Sequence, residues 1–576
     1  MHADIIIIGG GSAGCVLANR LSADGRRRVL LIEAGPDMPV GKIPETLLDS
    51  YPGAAYIDRR YNWQHLKVAT DVPGNNWARR IKWKVYEQAR VLGGGSTING
   101  QLANRGSPDD YDEWEARGAR GWGWHDVLPF FRKLERDTDF DGPLHGKEGP
   151  IPIRRIFPDL WPGHARAVAA ALEASGLPYL PDQNGEYVDG YFPISISNLY
   201  ERRVSAATAY LDPVTRQRPN LTIMTDTTVC KLLFENSRCV GVEADIGGGT
   251  IKCFRAGEVI LSCGAIHSPA MLLRSGVGPA AELDAMGIAV IADRQGVGRR
   301  LMDHPSVALA SFLGPDARVN DYSRRHMFIG WRYTSGIGEA PCDMYAVAAT
   351  RSAWHAVGAQ IGSLLLTVNK TYSESGEVRL HSPDWRDEPD VQFKLLSDER
   401  DMERMADGVL RAAALHAAPE LQAMTSDTFP AVWGDKVRQV GAISRRNRLY
   451  TDLAARLLDG PPALRRFLMK RYVADKYTLA DLLESPDALR QFIRAAVVGV
   501  WHAASTCRMG APDDPEAVTD PEGRVYGVEG LRVCDASIFP VVPRAALNLS
   551  VMMAAEKIAD DMTPGTRTTP IVAARR

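Results

Sequence analysis

A glycine run near the N-terminus and one acid beyond it are the first residues with chemistry to offer. Gly9-Gly10-Gly11-Ser12-Ala13-Gly14 contains G-x-G-x-x-G, and Glu33, followed by Ala34, lies 19 residues past Gly14. Glycines at that spacing let backbone approach a pyrophosphate at a helix N-terminus, and an acid about 20 residues on accepts from a ribose hydroxyl. Glycine is 52 of the 576 residues, so three at fixed spacing arise by chance about 0.4 times and carry little alone. An unphosphorylated ribose, as in FAD or NAD, suits an acid better than the ribose of NADP does.

The elements that must position these residues supply the context. Asp4 to Ile8 is a short β-branched run, as expected of a strand buried on both faces. Ala13 to Ala23 reads as a helix with Cys15, Val16, Ala18 and Leu21 on one side, and Val29 to Ile32 as a second buried strand that delivers Glu33. Strand, glycine turn, helix, strand and acid form the dinucleotide-binding unit of an open α/β sheet.

Composition removes other classes. Sixty-eight Lys+Arg against 70 Asp+Glu give a formal charge of -2, which argues against nucleic-acid binding through bulk charge. Hydrophobic residues at 45% and charged residues at 24% are those of a globular chain. The eight cysteines show no metal-ligand spacing, so no metal site is expected, and they read as reduced thiols of a cytoplasmic protein. No stretch approaches the ~18 apolar residues of a spanning helix.

Longer motifs identify a family. ARVLGGGSTIN at 89–99 and GAIHSPAMLLRSGVG at 264–278 resemble the two signatures of the glucose-methanol-choline (GMC) oxidoreductases. GVGRRLMDH at 296–304, Val500-Trp501-His502, DASIFP at 535–540, Asn548 and AAEK at 554–557 follow in the family's order. Within the family, the pattern looks most like the bacterial hydroxymethylfurfural oxidases and the aryl-alcohol oxidases.

The resemblance implies an α/β fold with an α+β cap: a Rossmann-like FAD-binding domain and a discontinuous substrate-binding cap on an antiparallel sheet. It implies that Arg90, Val91, Gly94, Gly95, Ser96, Asn99 and Gly100 lie along FAD, with Trp63 and Trp501 near the flavin. Asp535 and Ala536 would hold its ribityl–pyrophosphate part, and Val229, on a strand read as Thr227 to Phe234, its adenine. Asp535 would be delivered by a strand read as Val528 to Cys534. Members with covalent FAD carry a His just before the Asn of the first signature; here Ile98 stands there, so non-covalent FAD is expected.

His502 occupies the family's base position, and Asn548 the position of the hydrogen-bond partner that orients the alcohol. The implied reaction is oxidation of a primary alcohol, aryl or furanic, to its aldehyde, with O₂ or a quinone-type acceptor as oxidant. A dehydrogenase acting on polyol, pyridoxine-like or aliphatic alcohols is the nearest alternative. Hydroxynitrile lyase activity is a remote one, and a light-driven decarboxylase or a non-catalytic binder more remote still. His267 and His304 are expected to serve structure or to support the catalytic residues from behind, His65, His125 and His145 to face solvent, and Cys507 and Cys534 to fill core. Gln101, just after the first signature, is expected to face the substrate pocket.

Scattered motifs require interleaved domains: 1–155, 205–310 and 495–565 for FAD, 156–204 and 311–494 for the cap, and a disordered tail at 566–576. Ser397 to Ala417 reads as a helix begun by a serine cap, and Leu549 to Asp560 as the last helix. In the cap, Ser363 to Asn369 and Val391 to Leu396 read as strands. Residues 444–477 carry nine Lys/Arg against three Asp, with short helices at Leu453 to Leu458 and Ala463 to Val473. This segment is expected to be a helix pair solvated on the cap, or else a lid or a patch touching a membrane surface or an acidic partner.

Overall fold

The computed structural model describes residues 2–70, 82–473 and 477–563; the expected tail at 566–576 lies outside them. Two seven-stranded sheets organise the chain. In the first, Leu221–Met224, Val29–Ile32, His2–Ile8, Ile251–Leu261 and Leu531–Val533 run parallel. An antiparallel hairpin of Arg238–Asp245 and Thr228–Glu235 extends the sheet from Ile251–Leu261. The apolar run Ile5-Ile6-Ile7-Ile8 is central and almost fully buried, as parallel strands covered on both faces must be. Ile8, Ile32, Leu261 and Val533 all end at one sheet edge, which places the segments starting at Gly9, Glu33, Ser262 and Cys534 side by side.

The second sheet is antiparallel, in the order Thr425–Ala431, Pro305–Leu313, Ile361–Val368, Met344–Ala349, Met327–Tyr333 and Gly190–Pro193. Val498–Gly499 pairs with the start of Pro305–Leu313. Residues 305–310 and 498–499, assigned on sequence to the cofactor segments, therefore belong to this sheet, because their ladder hydrogen bonds are made there. One face of the sheet (Val307, Leu309, Ala346, Ala348, Leu364, Leu366) packs into a core shared with the helix Glu399–Ala417. The period-2 alternation leaves the other face free for a ligand.

Several boundaries differ from expectation. The Glu399–Ala417 helix is capped by Asp398, whose side chain accepts from the Arg400 N–H, and not by Ser397. The strand read as Val528 to Cys534 contracts to Leu531–Val533. The strand read as Val391 to Leu396 contracts to Asp390–Gln392, in a separate five-stranded sheet with Lys67–Ala69. The helix expected from Leu453 begins at Ser444's cap, as Arg445–Leu458. The last helix is Leu547–Asp561, so Asn548 sits inside its first turn rather than before it. Among the described residues, no helix is long and apolar enough to cross a membrane. All eight cysteines are free thiols.

Candidate active site

The carboxyl edge of the first sheet and the free face of the second enclose one cavity of about 1130 Å³. From the first sheet it is lined by Gly9, Gly11, Ser12, Ala13, Glu33, Ala34, Val229, Asp535 and Ala536, and from the loops between by Trp63, Arg90, Val91, Gly94, Gly95, Asn99 and Gly100. Trp501, His502 and Asn548 share its wall. The second sheet contributes alternate residues of three paired strands: Ser306, Ala308 and Ala310; Tyr345, Val347 and Ala349; Ser363, Leu365 and Thr367. These nine were not singled out on sequence. The signal was there in SVALA at 306–310, where small or polar residues alternate with large apolar ones.

Three of the expected cofactor and substrate residues do not reach the cavity. Gly14 serves packing: a Cβ there would lie 2.0 Å from the Gly9 carbonyl oxygen, so only glycine lets helix and strand come this close. Ser96 is buried, donating to the Gly93 carbonyl and accepting from the Ala206 N–H. Gln101 is fully buried and turned away from the cavity. Its Nε2 donates to the Asp49 and Ser50 carbonyls at 3.0 and 3.3 Å, and its Oε1 accepts from Asn198. Its φ of 61° swings the side chain out of line with its neighbours. Gln101→Leu should therefore leave substrate preference unchanged while costing about 1–3 kcal/mol of stability through orphaned carbonyls. A substrate panel with chemical denaturation checks both halves, and altered selectivity at unchanged stability would refute the assignment.

The helix Ser12–Leu21 points its N-terminus into the cavity and has no side-chain cap, leaving first-turn N–H groups for a ligand. Glu33 accepts from the Gly10 and Gly35 N–H groups at 2.8 and 2.7 Å. Each carboxylate oxygen still has a lone pair to offer. Burial raises the pKa of Glu33, against those two N–H groups. Asp535 is similarly committed: it accepts from the Gly264 N–H, the Ser268 hydroxyl and the Ser537 N–H. Asn548 Oδ1 accepts from the Ser12 hydroxyl at 2.9 Å, which ties the last helix to the first and leaves Nδ2 as a donor.

His502 follows the Val498–Gly499 strand on a loop held from below by Asp303. Oδ1 of this buried carboxylate accepts from the Val500 and His502 N–H groups at 3.2 and 3.0 Å. A Cβ on Gly499 would lie 2.2 Å from Asp303 Oδ2, so the loop can lie this close to the acid only with glycine there. Trp501 sits at φ 61°, strained backbone of the kind that surrounding contacts must enforce. His502 Nδ1 meets His304 Nδ1 at 2.9 Å, the rings being nearly perpendicular. Burial, and then the neighbouring His304, push His502 well below 6.5; burial lowers His304 to about 4. Burial also pushes Asp303 up to about 7, against the N–H groups of His502, His304, Val500 and Trp501. His304, expected to serve structure or to support the catalytic residues, thus touches His502 directly.

The remaining histidines separate clearly. His267 bonds Glu388 at 3.0 Å and lies against Trp63, while His65 and His125 are exposed. His145 is not solvent-exposed as expected but 6% exposed, with Glu135, Asp137 and Asp182 around it. Cys507 and Cys534 are fully buried, and burial raises both thiols.

Two family models, both described as GMC oxidoreductase, match residues 3–306 and 371–555. The 5-(hydroxymethyl)furfural oxidase of Methylovorus sp. (strain MP688) is 43% identical over 573 residues, covering 97% of this chain and 98% of that protein. The oxygen-dependent choline dehydrogenase of Sinorhizobium medicae (strain WSM419) is 32% identical, covering 97% and 95% respectively. Among solved structures, pyridoxine 4-oxidase from Mesorbium loti superposes with a TM-score of 0.78 at 28% identity, over 97% of this chain and 98% of that one.

Proposed function

This chain belongs to the GMC oxidoreductase family, and on that premise we propose that it is an FAD-dependent enzyme oxidising a primary alcohol, aryl or furanic, to the aldehyde. The observation that carries the reading is His502, held by Asp303 and His304 on the wall of the cavity that also receives an uncapped helix N-terminus and Glu33. The ring class rests on the 43% identity to a furfural oxidase.

The residues present fit FAD. A Cβ at Gly95 would meet no atom within 4 Å, and one at Gly11 none nearer than 3.8 Å, so both glycines leave an open floor. The N-terminus of Ser12–Leu21 suits the pyrophosphate, Glu33 a ribose hydroxyl, the Val229 backbone the adenine, and Trp63, Arg90 and Asn99 the ring system. Asp535 and Ala536 complete the ribityl end. Ile98, on the cavity wall, has an alkyl side chain that cannot bond the ring, which supports non-covalent binding. The same reading assigns the segments near 1–155, 205–304 and 500–565 to flavin and those near 156–204 and 305–499 to the cap. The eight free thiols support a cytoplasmic location.

Bound flavin supplies the hydride acceptor. The chain must supply a base, and the His304 contact sets which nitrogen it is. Of the two facing Nδ1 atoms one must donate; with the proton on Nδ1 of His502, Nδ1 of His304 accepts it and Nε2 of His502 carries the free lone pair. Asn548 Nδ2 is the donor left to orient the alcohol oxygen.

A histidine at an ordinary ~6.5 is roughly nine units below a hydroxyl near 15.7, about 12 kcal/mol for full deprotonation. Burial lowers His502 further and widens that gap. Proton removal must therefore overlap hydride loss rather than precede it. His304→Phe should slow flavin reduction on the order of 10²-fold by freeing the His502 tautomer, with FAD binding intact. Rapid-mixing absorbance measures this, and an unchanged rate would remove His304 from the mechanism.

The whole reading is tested by adding alcohols anaerobically to the purified flavoprotein and then admitting air. Bleaching of the visible flavin band with fast recovery marks an oxidase, and slow recovery a dehydrogenase using a quinone-type acceptor. No bleaching with any aryl, furanic or aliphatic alcohol sinks the proposal.

A further inference from the structure

The helix Arg445–Leu458 is amphipathic in the wrong sense for a protein in water. Its inward face is Thr451, Ala455 and Leu458, all buried. Its outward face carries Leu449, 71% exposed, Leu453, 58% exposed, and Leu457 at i, i+4 and i+8, one stripe along the helix. After the turn at Gly460, Pro462–Leu468 continues the surface with Phe467, 63% exposed. A helix resting on a soluble fold places charge, not three leucines in a row, toward water.

Cations are interleaved with this stripe. Arg445, Arg446 and Arg456 flank the leucines, and Arg466, Lys470 and Arg471 flank Phe467. Of the eight Lys/Arg between 445 and 471, only Arg465 has a carboxylate partner among the described residues, Asp427 at 2.8 Å. Asp452 and Asp459 are the acids of this stretch, and Asp459 is bound to Arg318.

We propose that this helix pair docks on an anionic lipid surface, its leucines and Phe467 entering the acyl boundary and its arginines meeting lipid phosphates. The combination is that of an interfacial amphipathic segment. A second copy of the chain fits poorly, since a two-fold contact would set one cationic face against its twin. Docking has a consequence for the cavity. Tyr472 and Val473, directly after the pair, line it, so its wall runs out beside the lipid-facing surface. Alcohols or acceptors dissolved in lipid would then enter from the interface. The docking claim stands independently of the proposed reaction.

The test is co-sedimentation of the full-length holoprotein with vesicles of phosphatidylcholine alone or with 30 mol% phosphatidylglycerol (roughly the anionic content that makes the electrostatic contribution large). Expected is at least tenfold stronger partitioning to the anionic vesicles. Leu449→Ser/Leu453→Ser/Phe467→Ser and Arg445→Glu/Arg446→Glu/Arg456→Glu should each lose at least tenfold, with unchanged turnover of a water-soluble alcohol. Equal partitioning to both vesicles, or none, overturns the proposal. So does loss in the arginine variant alone, which would mean adsorption by charge without insertion. Light scattering that shows the apolar variant converting a dimer to a monomer, without vesicle binding, would assign the face to self-association instead.

Discussion

His502→Ala is expected to bind FAD and fold as the parent does, yet reduce the flavin 10²–10⁴-fold more slowly with its best alcohol. The size follows from position. His502 is the titratable side chain on the cavity wall whose main-chain N–H is fixed by Asp303 and whose Nδ1 is engaged by His304, so its other nitrogen is aimed by two independent constraints. Removal takes away the proposed proton acceptor but none of the groups assigned to flavin. Because burial and His304 hold its pKa well below 6.5, His502 is already neutral at pH 7. The parent's kcat/KM should thus fall on the acid side as His502 becomes protonated, below the range in which Asp303, near 7, takes up its proton. The alanine variant should lose that acid limb along with the rate. Stopped-flow reduction across pH measures both, and a loss under tenfold, or a limb that persists in the variant, would move the base elsewhere.

The second large effect concerns stability. His145→Ala is expected to destabilise the fold by roughly 3–5 kcal/mol, the usual consequence of stripping one partner from a buried charge cluster. His145 Nδ1 lies 2.9 and 3.2 Å from Glu135 and Asp137, and Nε2 lies 2.9 Å from Asp182. Both ring nitrogens therefore face carboxylates, which requires both to be protonated. Burial works against that charge, but Asp137, Asp182 and Glu135 outweigh it and hold His145 up to about 10. Arg105 pairs with Glu135 at 3.1 Å, and Arg155 with Asp137 and Asp182 at 2.6 Å each and with part-exposed Asp139 at 3.7 Å, so three cations meet three buried anions and a fourth at the rim. The pKa is raised in the folded state, so the contribution is complete below the unfolded value near 6.5 and is lost as pH rises toward 10. Chemical denaturation should show the parent's advantage over His145→Ala shrinking through that window. Asp137 and Asp182 are lowered and act oppositely, their contribution fading as pH falls below about 3.8. A pH-independent difference below 1 kcal/mol would mean that the cluster is not a charged network. The cluster has ligand atoms of Glu135, Asp137 and His145 within 4.8 Å of one another, but its carboxylates are already neutralised by the two arginines and the histidine.

How much of the site was legible depended on distance along the chain. The glycine turn, the helix Ser12–Leu21 and the strand that delivers Glu33 are local, and their residue types and spacing define them within 33 positions. The motifs around Asn99, His502, Asp535 and Asn548 were legible because each is a short stretch, and all four residues line the cavity. His304 was expected in a supporting part, but its contact with His502 was not legible, since that partner is 198 residues away and nothing in GVGRRLMDH says which element will lie on it. Gln101 was misjudged because one left-handed residue turns its side chain toward Asp49, Ser50 and Asn198.

The sequence by itself determined the dinucleotide-binding unit, the family and most of the motif residues that line the cavity, because backbone geometry and short motifs are written in adjacent residues. Tertiary structure alone decided that Asp303 and His304 hold His502, that alternate residues of three antiparallel strands face the cavity, and that His145 is buried among three carboxylates. Each of these depends on which elements meet, and a side chain's pKa, partners and direction are properties of that meeting rather than of its neighbours in the chain.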